Sequence, residues 1–72
     1  MEWHKYPDEK PKDEEAEYII CVSGKAGNIE YDHAVLAGGN YYEEGKWYIG
    51  GCHRPDVKVL AWMELPEPYQ EE

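Results

Sequence analysis

Cys21, His33, Cys52 and His53 can be imagined as a zinc set, and the two cysteines as thiol nucleophiles. Structural zinc sites draw their ligands from close pairs, Cys-x-x-Cys or His-x-x-x-His, because one short turn then aims both at the same ion. Neither pair occurs here. Cys52 and His53 are adjacent, so in an extended chain they point to opposite faces. They read as a buried strand cysteine, a loop cysteine beside a solvated His53, and a His33 half buried on a sheet face, with no metal and no cofactor expected. Asp32-His33 beside Glu30 suggests acid–base chemistry. On a strand, though, neighbours alternate faces, which keeps Asp32 from orienting the His33 ring. Ser23-Gly24-Lys25-Ala26-Gly27 lacks the spaced upstream glycine of a phosphate loop and lies between strands rather than before a helix. With no nucleophile, base and orienter set out together, the chain is not expected to be an enzyme.

The elements that must carry these residues are strands. Tyr18–Val22 is β-rich, apolar on both faces, and bounded by Ser23-Gly24. A turn is expected at 24–28. Ile29–Leu36 then alternates, with Ile29, Tyr31, His33 and Val35 on one face and Glu30 and Asp32 on the other. Gly38-Gly39-Asn40 interrupts it as a bulge or a turn. Tyr41-Tyr42-Glu43-Glu44-Gly45-Lys46-Trp47-Tyr48 reads as a hairpin with a short loop and a glycine bulge at Gly45. Residues 49–56 read as a loop. Val57–Met63 is the last strand, with Val57, Val59, Ala61 and Met63 facing one way and Lys58, Leu60 and Trp62 the other. Pro66 and Pro68 end pairing.

At 72 residues this is one domain, 1–72, able to bury only about 60% of its unfolded surface. The expected fold is mainly β. It is a small four-stranded antiparallel meander at 16–63, curled or partly barrel-like. An extended N-terminal arm, 1–15, and an acidic, proline-containing C-terminal arm, 64–72, would cover one face. Trp3, Tyr6 and Pro11 on the first arm, with Trp62, Leu65, Pro66 and Tyr69 at the other end, are the expected structural anchors.

These ends resemble a family of small phage and prophage proteins, domain of unknown function 551. The family opens with a Trp followed by a Leu-Pro-Glu-like step and a Val-Leu-Val-type strand. It closes with a Gly-(Lys)-Trp hairpin and an ending close to Val-Thr-His-Trp-Met-Pro-Leu-Pro-Glu-Pro. Trp3, Pro11, Ile19-Ile20-Cys21-Val22, Gly45-Lys46-Trp47 and Trp62-Met63-Glu64-Leu65-Pro66-Glu67-Pro68 match in order. Lys10, Ala61 and Glu64 depart from it, standing where Leu, His and Pro are usual. The resemblance implies a phage or prophage accessory protein acting inside bacteria, and carries over no catalytic residue.

Charge bears on the partner, although acids that only keep a small protein soluble are the simpler reading. The net charge of -9 sits at the ends: seven acids against three lysines in 1–17, and four acids against no base in 64–72. Direct nucleic-acid binding and an anionic membrane are disfavoured, because both need Lys and Arg. A host protein with a basic surface is the expected partner, met by Glu43, Glu44 and the 64–72 tail with Tyr41, Tyr42 and Trp47 as anchors. Host takeover or inhibition of a bacterial defence system, such as a CRISPR nuclease, fits this expectation. Sequestration of a nucleotide immune signal is the alternative, using Tyr31, Tyr41, Tyr42 and Tyr48 with Lys25, Arg54 or Lys58. Seven bases against sixteen acids would require oligomers to pool positive charge for that role. A structural accessory domain with no inhibitory role is a third reading. Homodimerisation by sheet extension is compatible with open edges. No apolar run opens the chain and none is long enough to span a membrane, so a cytoplasmic location with reduced thiols is expected.

Overall fold

The computed structural model describes residues 2–66, which form seven antiparallel strands and no helix. They are β1 (His4–Lys5), β2 (Tyr18–Ala26), β3 (Ile29–Leu36), β4 (Asn40–Glu43), β5 (Lys46–Ile49), β6 (Cys52–His53) and β7 (Val57–Glu64). Two sheets result, one ordered β1-β7-β2-β3 and the other β4-β5-β6. The fold is mainly β, as expected, but it is neither one four-stranded meander nor a closed barrel. The last strand inserts beside the first long one, between β1 and β2. An interior place suits β2 and β7, which carry apolar residues on both faces for much of their length.

Turn chemistry sets the hairpins. β2 runs on through Gly24-Lys25-Ala26, four residues beyond the expected end. It turns only at Gly27-Asn28, with Gly27 at φ 61°. The β4–β5 loop is two residues, Glu44 and Gly45, at φ 51° and 79°. Its register is unbroken from Glu43↔Lys46 to Asn40↔Ile49, so the expected bulge is absent. Positive φ at both loop positions matches the twist of the flanking strands without one. Within the expected loop at 49–56, Cys52–His53 pairs back on β5.

Two bulges decide which residues face inward. Opposite Cys21 and Val22, β7 offers Ala61 and Val59, leaving Leu60 unpaired. The alternation reverses there, so Val57, Val59 and Trp62 enter the core and Ala61 does not. On the other side of β2, Val22 pairs with Ala34 and Gly24 with Tyr31, so Asp32-His33 together oppose Ser23. His33 takes φ 51°. Inward positions on β3 are therefore Tyr31, Ala34 and Leu36, while Val35 stays 58% exposed. Both face assignments made from strict alternation fail at these inserted residues.

The core lies between the sheets. Tyr18, Ile20 and Val22 of β2 and Val57, Val59 and Trp62 of β7 meet Tyr42, Trp47 and Ile49 from the smaller sheet. Tyr18 stands edge-on to both Trp47 (6.0 Å) and Trp62 (5.1 Å), a favoured geometry for aromatic pairs. Asn40 is fully buried and joins the sheets: its Nδ2 donates to the Tyr18 carbonyl at 3.2 Å and the Leu36 carbonyl at 2.9 Å.

The N-terminal segment is not simply extended. After β1 it turns through a cis Tyr6–Pro7 bond, and the Glu9 amide donates to the Lys5 carbonyl. Pro11 is buried. The Trp62 indole Nε1 donates to the Glu9 carbonyl at 2.8 Å, and the Tyr18 hydroxyl to the Asp13 carbonyl at 3.0 Å. Trp3 and Leu65, expected as packed anchors, stay 43% and 41% exposed, and Pro66 is exposed too. Trp3 lies instead along an outer groove with Leu60 and Ala61, β7 residues outside the core cluster. Tyr69 and the rest of the expected C-terminal arm beyond Pro66 lie outside the described residues.

Candidate functional site

An acidic cleft opens where the N-terminal segment crosses the end of β7. Asp8, Glu9, Asp13, Glu17 and Glu64 line it, with Lys10 and Lys12, around Ala16, Tyr18, Trp62 and Leu65; its volume is about 840 Å³. Local bonds fix these carboxylates. Glu17 Oε1 accepts from the Gly39 amide at 2.9 Å. Asp13 Oδ1 accepts from the Glu15 amide at 2.9 Å, an Asx turn that sets the segment's direction. Glu9 and Glu64 both hold His4, at 2.7 Å on Nδ1 and 3.3 Å on Nε2. The His4 ring lies 4.4 Å from the Trp62 ring. The hydrogen bond to Glu9 is the main cause that raises the His4 pKa above 6.5; desolvation opposes it and Glu64 adds to it. Sequence reasoning singled out neither His4 nor Glu9. The clue lay in carboxylates clustered on the first segment, but its fold back onto β7 is a long-range event.

The residues expected to dock a partner separate. Tyr42 and Trp47 are each only 7% exposed and belong to the core, so they cannot serve as surface anchors. Tyr41 instead stacks on Tyr48, rings 4.9 Å apart and 7° from parallel, and Tyr48 meets His53 at 5.8 Å. These three form the outer ladder of the smaller sheet. Glu43 and Glu44 are exposed at its tip, where the Glu44 amide donates to Glu14 Oε2 at 2.8 Å. The hairpin tip and the acidic segment are thereby joined.

Asp32 and His33, expected to point apart, are bonded at 2.8 Å between Oδ1 and Nδ1. The bulge turns both outward. Their side chains are 90% and 74% exposed. His33 shares an outer groove with half-buried Cys21, Trp3, Leu60 and Lys58, but no hydrogen bond joins the imidazole to the thiol. Cys21 and Cys52 belong to different sheets, and both are unbridged. Among the described residues, no three or more His, Cys, Asp or Glu side chains are grouped to hold a metal ion. No described helix is long and apolar enough to cross a membrane.

Basic side chains also converge: Lys46, Arg54 and Lys58 line one cleft between the sheets, together with His53. Comparison with known proteins finds no matching family model, no matching curated protein and no matching solved structure.

Proposed function

We propose that this protein is a small, non-enzymatic interaction domain that binds a protein with a basic surface through the acidic cleft. The observation that carries this reading is the convergence of Asp8, Glu9, Asp13, Glu17 and Glu64 on one opening, against only Lys10 and Lys12. Carboxylates held in place by the Gly39 amide and His4 are preorganised to accept from an Arg or Lys head group. Exposed Leu65 and half-buried Ala16 offer apolar contact for the stem of such a side chain. Glu14, Glu43 and Glu44 extend the negative surface towards the hairpin tip, which favours fast, salt-sensitive association.

The likeness of the chain's ends to the phage and prophage family supports a host protein as the partner, with host takeover or inhibition of a defence nuclease as the role. The test is a pull-down from bacterial lysate with the intact protein and an Asp8→Lys/Glu17→Lys variant, at low and high salt. A partner retained at low salt, released at high salt and lost with the variant is expected. Retention of nothing at either salt, or retention indifferent to the charge reversal, would refute the reading.

A further inference from the structure

Three of the chain's seven basic residues meet in a place the acidic cleft does not use. Lys46 of β5, Arg54 after β6 and Lys58 of β7 line a cleft of about 500 Å³ between the sheets, with His53, Trp47 and Tyr6. Among the described residues, no carboxylate lines it. None of the three forms an ion pair with a described acid, although Glu43 stands opposite Lys46 in the strand register.

Trp47 forms part of the wall of this cleft. Trp47 is only 7% exposed, and its Nε1 is buried with no hydrogen-bond partner among the described residues. Leaving such a donor unpaired is costly and rare. The other buried indole, Trp62, has its carbonyl. The wall that carries Arg54 is also fixed. The Val57 amide donates to the Arg54 carbonyl at 3.1 Å, and the Lys25 amide to the Asp56 carbonyl at 3.3 Å. Gly24 makes room for that carbonyl, since a Cβ there would stand 2.4 Å from it.

We infer that this cleft binds a small organic phosphate bearing a planar ring, of nucleotide size. Lys46, Arg54 and Lys58 take the phosphate, Arg54 through its planar fork. Tyr6, Trp47 and His53, which line the cleft, supply aromatic contact for the ring. The volume lies within the span of small-molecule sites. No bond is made or broken.

The test is an NMR titration of the full, isotope-labelled chain with AMP, adenosine and inorganic phosphate as probes. AMP should move the Trp47 indole resonance and leave those of Trp3 and Trp62 in place. Adenosine and inorganic phosphate should each bind more weakly than AMP. Arg54→Ala/Lys58→Ala replaces two exposed side chains, so its spectrum should stay folded, and it should weaken AMP binding by about tenfold or more. Asp8→Lys/Glu17→Lys should leave AMP binding unchanged, which separates this site from the acidic cleft. A stationary Trp47 resonance at millimolar AMP, equal affinity for adenosine, or undiminished binding by the folded double variant would each overturn the inference.

Discussion

His4 is gripped on both ring nitrogens, by Glu9 and by Glu64, and rests on Trp62. Its folded pKa lies above the ordinary 6.5, so protonation is favoured by folding. The stabilisation is therefore fully present below the unfolded pKa and is lost as pH rises through the raised folded value. Thermal unfolding followed across that window should show a falling midpoint in the wild type and a flatter profile in His4→Gln. Trp62 acts through both bulk and its N–H. Trp62→Phe, which removes the bond to the Glu9 carbonyl, should cost about 1 kcal/mol in denaturant titration, whereas Trp62→Ala should cost about 3–5 kcal/mol. Period-two alternation separates Tyr42 and Trp47 from Tyr41 and Glu43 but does not say which face turns inward. That is why two core residues were legible as candidates for docking and illegible as core.

The strands themselves were legible where they are long and β-branched, as in Tyr18–Val22 and Val57–Met63. β1 and β6 were not, because two residues carry no period and are made by the partners they pair with. Bulges hide for a related reason: Leu60 and His33 are ordinary residue types, and only the register across β2 marks them as inserted. Glu44 holds φ 51° without being glycine or asparagine. Glu44→Asn should relieve that strain and stabilise the hairpin by roughly 0.5–1 kcal/mol, seen as a higher unfolding midpoint. Gly24 is the opposite case, at φ 129° with the Asp56 carbonyl where a Cβ would go. Gly24→Ala should destabilise by about 1–3 kcal/mol and loosen the 54–57 loop, read by faster amide exchange at Val57.

Over the whole molecule, charge is sorted rather than spread. Carboxylates of the first segment and the end of β7 face one opening, and bases from three separate elements face another between the sheets. The acidic ends could be read from composition, but their meeting depends on β7 lying between β1 and β2, a pairing that no local pattern encodes. Arg54 and Lys58 could be named from the sequence as candidate phosphate ligands, but not that Lys46 would join them and Lys25 would not. The most direct test of the acidic cleft is an NMR titration of the isotope-labelled chain with a short arginine-rich peptide. Shifts centred on Glu9, Glu17, Leu65 and the Trp62 indole, abolished by Asp8→Lys/Glu17→Lys, are the predicted result. Shifts centred on the Tyr41–Tyr48 ladder or the 54–58 wall, or no shifts at all, would contradict it.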